Sequence, residues 1–215
     1  MPIESINYVT SSRYKREEAE IICAHAALRD GTPVHDVFEF HFRDVSINEI
    51  LEVDLRVMVK DEVVKAYNLV RLPCIVEHAG LIFEDYETDG YPGGLTKPMW
   101  DTLADRFLTE TDLPGRRAIA RAVVGYCDGA SVMTFVGETR GVLADAPHGS
   151  REFYWDTVFI PDVASGPAKG KTYAEIVEDP SLGLKFKVLD LSQSRQAIMK
   201  FLEHRHAVGL PSLWR

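Results

Sequence analysis

Cys74, Ile75 and Val76, entered from Pro73, form a short apolar run that reads as a buried strand, and Gly80 interrupts it four residues on. Glu77 and His78 are therefore expected at a strand end. In an open α/β sheet the loops leaving strand ends form the crevice where ligands collect. The chain then passes Glu84, Asp85, Glu87 and Asp89 before a glycine-rich turn at residues 90–94. A strand closing on an acid and a histidine ahead of such a loop suits a divalent cation or an activated water. It equally suits a strand cap followed by a solvated acidic loop, and these residues alone favour that plainer reading.

The rest of the chain reads as scaffold. At 215 residues, 46% hydrophobic and 27% charged, it has the composition of an ordinary globular protein with room for a real core. A net charge of −9 argues against a general nucleic-acid or anionic-membrane binder, because those need a positive field. It leaves room for a small phosphorylated ligand in a locally basic pocket. Cys23, Cys74 and Cys127 are odd in number and lack metal-ligand spacing, no apolar run reaches membrane-spanning length, and the N-terminus has no signal-peptide core. The expectation is one cytoplasmic domain over residues 1–215.

In chain order, residues 6–10 read as a strand, and Ser11 or Ser12 caps a helix running to about Arg29. The turn between them sets hydroxyls, backbone N–H groups, Arg13 and Lys15 at a helix N-terminus, which suits a phosphate or simply an ordinary helix start. Residues 34–42 alternate as a strand, with His35 and His41 on its polar face, and residues 55–70 form a helix burying Val57, Val59, Val63, Val64 and Tyr67 in part. A helix is expected over residues 98–109, a turn at Leu113, Pro114 and Gly115, and β segments over 117–126, 131–136 and 141–144, the first two joined through Asp128 and Gly129. Phe153, Tyr154 and Trp155 read as core, or as a platform for a base. A short helix at 173–178 and an amphipathic one at 192–206 complete the chain.

Taken in order, these segments resemble the inosine triphosphatase-like (Ham1-type) nucleoside triphosphate pyrophosphatases. Residues 10–17, T-S-S-R-Y-K-R-E, are similar to the family's T-G-N-x-x-K-x-x-E phosphate loop, and 76–81, V-E-H-A-G-L, to its V-E-D-T/S-G-L. Pro147-His148-Gly149 with Phe153-Tyr154-Trp155-Asp156 resembles P-R-G…F-G-W/Y-D-P. Residues 171–175, K-T-Y-A-E, match K-T-[YF]-A-E, and 192–197 stand where the family has S-H-R-x-R-A.

The resemblance implies an elongated, two-lobed α/β fold with a mixed sheet, usually dimeric. It implies Mg²⁺-dependent hydrolysis, with Mn²⁺ as a possible substitute, of a purine nucleoside triphosphate carrying an irregular base, such as ITP or XTP, to the monophosphate and pyrophosphate. By the same resemblance Thr10, Ser12, Lys15 and Lys65 hold the polyphosphate, Glu49 and Glu77 hold the metal, Phe153 stacks on the base, and Trp155 and Asp156 contact its edge. His78, Glu77 and Lys15 would carry the chemistry. The departures are local. His78 stands at the usual Asp, Ser12 at an Asn and Tyr154 at a Gly, while Gln193 and Ser194 replace a His-Arg pair, with Arg195 next to them. An altered base preference is expected, and a nucleotide-binding protein with weakened turnover is the alternative.

Overall fold

A computed structural model describes residues 3–104, 106–110 and 116–209. The first half alternates strand and helix: β1 (Glu4–Val9), α1 (Arg13–His25), α2 (Val34–Val37), β2 (Phe38–Arg43), α3 (Leu55–Val70) and β3 (Cys74–Phe83). Because helices cross between them, β1 pairs parallel with both β2 and β3. After α4 (Thr96–Leu103) and α5 (Arg106–Glu110), β4 (Arg117–Cys127), β5 (Val132–Leu143) and β6 (Phe159–Pro161) add antiparallel. The result is one mixed six-stranded sheet of order β2-β1-β3-β4-β5-β6. Helices α6 (Tyr173–Glu178), α7 (Gly183–Phe186) and α8 (Gln193–Val208) follow, with a single π turn at Lys187–Leu191 before α8.

Local chemistry sets these boundaries. Asp54 caps α3 by accepting from the Arg56 N–H at 2.7 Å, and Arg71 ends it in a left-handed conformation. The buried stripe of α3 is Leu55, Met58, Val59, Glu62, Val63 and Ala66, while Val57 and Val64 are exposed. Val59 and Val63 are wholly buried, worth about 1.5–3 kcal/mol each. Ser192 caps α8 in the same way through the Arg195 N–H. One face of the sheet packs against α1 and α8 around Ile75, Val124 and Phe201; the other packs against α3 around Val76 and Val123. A third cluster, around Phe83, Phe107, Phe159 and Tyr173, fills the far end.

Several expectations are corrected. Residues 34–37 are a helical turn, because the Val34 and Asp36 N–H groups bond Ala26 O and Pro33 O; the strand begins at Phe38. α1 stops at His25, and the expected helix over 98–109 is two helices that part at Ala104, whose φ is 47°. The two segments after the hairpin are the single strand β5. Gly80 does not end β3: a Cβ there would lie 2.2 Å from the Gly93 carbonyl oxygen, so the glycine admits a close neighbour inside a strand that runs on to Phe83. Glu77 and His78 are thus mid-strand. The turn at 113–115 lies outside the described residues. Among the described residues no helix is long and apolar enough to cross a membrane.

Candidate active site

β1 stays beside β3 only through Asn7–Cys74 and Tyr8–Ile75, then turns away through Thr10 into α1. β3 continues, and its edge is met by other groups. The Lys15 ammonium donates to Glu77 O, the Leu81 N–H donates to Thr96 Oγ1 at 2.9 Å, and the Phe83 N–H donates to Tyr91 O at 2.9 Å. A cleft of about 1030 Å³ opens where the strands part.

One wall is the β1–α1 turn. The Thr10 hydroxyl accepts from the Ser12 N–H at 3.1 Å, and Ser12 Oγ caps α1 by accepting from the Lys15 N–H at 3.4 Å. This orders the turn and leaves Lys15 facing the cleft at the positive end of a 13-residue helix, where an anion is favoured.

The facing wall is β3, where adjacent residues point to opposite faces. Glu77, 4% exposed, points toward α1 and α8: its Oε2 lies 3.1 Å from Lys15 Nζ and accepts from the Tyr8 hydroxyl, and its Oε1 accepts from Ser194 Oγ at 3.0 Å. Burial pushes this carboxyl up, but Lys15 more than offsets it, helped by His78 and Ser194, and holds it below the ordinary range. His78 points the other way, toward α3. Its Nε2 is 2.7 Å from Glu62 Oε1 and 3.7 Å from Glu49 Oε1.

Beyond this pair the cleft runs to Trp155, Asp156, Gln193 and Ser194. At its floor Lys187 Nζ lies 2.8 Å from Asp156 Oδ2 and 3.0 Å from Glu18 Oε1, with the Tyr173 ring 5.0 Å away. Burial alone would lower the pKa of Lys187, but Asp156 and Glu18 outweigh it and hold the ammonium protonated. Tyr154 stands at the rim with φ 51° and ψ −128°.

Of the expected site residues, Thr10, Ser12, Lys15, Glu49, Glu77, His78, Trp155 and Asp156 line this cleft. Lys65 and Arg195 do not. Lys65, one turn beyond Asp61 on α3, pairs with that acid and donates to Asn48 O, so its charge is spent outside the cleft. Arg195 projects from the first turn of α8 outside the lining, which Gln193 and Ser194 occupy. The side chain of Phe153 lies outside the described residues. Glu18, Glu62 and Lys187 were not anticipated. A helical projection reveals the two acids, Glu18 beside Ala19 and Ile22, and Glu62 beside Val59 and Val63. Nothing comparable marks Lys187, whose placement depends on the π turn.

The fold is that of the Ham1 proteins. Solved examples include one from Staphylococcus aureus (TM-score 0.62, 16% identity, covering 95% of this chain and 99% of that one) and one from Coxiella burnetii (TM-score 0.64, 17% identity, 94% and 100%). The Ham1 family matches residues 6–203, and the chain belongs to that family. A dITP/XTP pyrophosphatase of Hyperthermus butylicus is 36% identical over 115 residues, 53% of this chain and 57% of that protein. One from Methanopyrus kandleri is 34% identical over 135 residues, 61% and 64%. An inosine triphosphate pyrophosphatase of Trypanosoma cruzi is 26% identical over 178 residues, 81% and 82%. The chain spans less than two thirds of the first two relatives' length.

Proposed function

We propose that this chain is a nucleoside triphosphate pyrophosphatase, cleaving its substrate to a nucleoside monophosphate and pyrophosphate. The observation that carries the reading is one continuous cleft in a Ham1-family chain. Lys15 and the α1 N-terminus stand at one end, and Trp155, Asp156 and Lys187 at the other. The names of the pyrophosphatase relatives agree with it.

In this reading Thr10, Ser12 and Lys15 hold the phosphate tail, with Glu77 fixing the lysine, and Trp155 and Asp156 receive the base. Water adds to the α-phosphorus, the bond to the bridging oxygen breaks, and pyrophosphate departs with that oxygen. The water's proton passes to the acid–histidine wall of Glu49, Glu62 and His78. A homodimer and a single domain over residues 1–215 belong to the same proposal and rest on the resemblance. Gln193 and Ser194 offer neutral groups where a charged His-Arg pair would discriminate a keto oxygen, which supports an altered base preference.

The reaction as expected from sequence includes Mg²⁺, or Mn²⁺, held by Glu49 and Glu77. The residues do not fit that pair. Both Glu77 oxygens are engaged by Lys15, Tyr8 and Ser194, and its side chain leaves the opposite face of β3 from His78 and Glu49.

The engagement of Glu77 also favours a second reading, a nucleotide-binding protein that has lost turnover. A panel of nucleoside triphosphates incubated with divalent cations separates the two. Pyrophosphate release, reduced by about two orders of magnitude in Lys15→Ala, supports the enzyme. Saturable binding without release sinks it.

A further inference from the structure

Resting on the pyrophosphatase reading, which puts a nucleotide in the cleft, we propose that the base end takes a purine with exocyclic amino groups. Adenine and 2,6-diaminopurine are such bases, and they are preferred to the keto bases hypoxanthine and xanthine. A site meets keto oxygens with donors and amino groups with acceptors, and a buried polar group left facing its own kind rejects the ligand. The side-chain protons at this end are already spent within the protein.

Ser194 and Asp156 are left as acceptors. The Ser194 hydroxyl donates to Glu77 Oε1 at 3.0 Å, and because Lys15 keeps that carboxylate ionised, the one hydroxyl proton is committed to it. Ser194 lines the cleft and has only oxygen lone pairs to offer there. Asp156 accepts from Lys187 through Oδ2, and among the described residues nothing donates to its Oδ1. Lys187 is shared with Glu18, so two carboxylates surround one ammonium and the floor carries a net negative charge.

Gln193 is the third acceptor. Its Oε1 lies 3.2 Å from the Tyr173 hydroxyl oxygen, which itself lies 2.9 Å from Leu191 O. A phenol has one proton and a carbonyl can only accept, so the nearer Leu191 O takes it, and two oxygens would be left face to face. A half-turn of the carboxamide exchanges its oxygen and nitrogen within the same outline. The amide N–H then donates to Tyr173, and the carbonyl oxygen passes to the end that has no partner among the described residues, in a side chain that lines the cleft. Trp155 keeps an indole N–H, but ring nitrogens present in every purine can accept from it, so it does not discriminate. An amino group at C6 donates where hypoxanthine and xanthine set an oxygen lone pair. Acceptors above a negative floor attract the first and repel the second.

Affinity is the readout, so that this preference and the hydrolytic reading can fail separately. The full-length protein is titrated calorimetrically, in the presence of Mg²⁺, with α,β-methylene triphosphates, which carry carbon in place of the scissile bridging oxygen. The bases compared are unsubstituted purine, adenine, 2,6-diaminopurine, hypoxanthine and xanthine. The adenine compound should bind at least about tenfold tighter than the hypoxanthine compound, with unsubstituted purine between them and diaminopurine no weaker than adenine. Gln193→His combined with Ser194→Arg, which supplies donors, should narrow or invert the ratio. If that variant does not fold, the base series on the unaltered protein decides alone. Hypoxanthine or xanthine bound as tightly as adenine, unsubstituted purine equal to adenine, or a ratio unchanged in the folded double variant overturns the preference and leaves the pyrophosphatase reading standing. Failure to bind any of the five overturns both. Amino-selective binding with no pyrophosphate released from the corresponding natural triphosphates supports the preference and sinks only the hydrolysis.

Discussion

Lys15 engages Glu77 twice, donating to its backbone carbonyl and standing 3.1 Å from its carboxylate Oε2. The acid of the V-E-H run thereby acts as the strut of a phosphate-facing lysine. Glu77→Gln should leave divalent-cation affinity within about twofold of the unaltered protein, since a ligand's loss would cost far more. The KM for a triphosphate should rise, because the lysine is no longer fixed. Calorimetry and initial-rate kinetics on the same preparation check both halves.

Lys187 lies between Glu18 and Asp156 with almost no solvent. Lys187→Met should destabilise the fold by about 3–5 kcal/mol, because it strands two buried acids against each other. Glu18→Gln in the same chain should restore part of the loss. Urea denaturation gives both values, and a single substitution that costs under about 1 kcal/mol would show that the triad does not bear on stability.

Asp179 accepts from Lys171 and from the hydroxyl and N–H of Ser181, and these bonds, that to Lys171 foremost, hold its carboxyl below the ordinary value of 3.8. A depressed carboxyl stabilises the fold fully above its unfolded pKa, and the contribution fades as pH falls through the folded one. Asp179→Asn should therefore melt at a lower temperature than the unaltered protein near neutral pH, and the gap should close on acidification below 3.8. A gap that widens with acid would contradict the assignment. Melting curves recorded across that range suffice.

Tyr154 holds φ 51° and ψ −128°, a conformation that only glycine adopts freely, while its ring stands 5.8 Å from Lys97 Nζ. Tyr154→Gly should relieve strain and raise stability by about 1 kcal/mol after the ring contact is lost. It should also widen the rim, read as a change in relative kcat/KM among purine triphosphates. A melting temperature that falls would refute the strain argument.

Much of the architecture was legible because its causes are local. Helix α3 begins and ends where its Asp54 cap and apolar spacing require, and α6 and α8 follow from Thr172 and Ser192 in the same manner. Gly80 was misread as a strand end because its reason, the Gly93 carbonyl, arrives 13 residues later. With the strand drawn through Gly80, period-two alternation sends Glu77 and His78 to opposite faces of the sheet. Glu62 was passed over because a charged residue on a helix normally faces water. Lys65 was assigned to the polyphosphate by the family resemblance, whereas its ammonium pairs with Asp61 and donates to Asn48 O.

The early departure of β1 from β3 gives the binding crevice an unusual origin. The β3 edge that β1 gives up is taken by Lys15, Thr96 and Tyr91 instead, so the crevice is walled by side chains and loops where a neighbouring strand would otherwise lie. Changes near Val9 and Thr10 that prolonged the pairing of these strands would heal the sheet and erase the crevice together, yielding a sturdier protein with nowhere to seat a ligand.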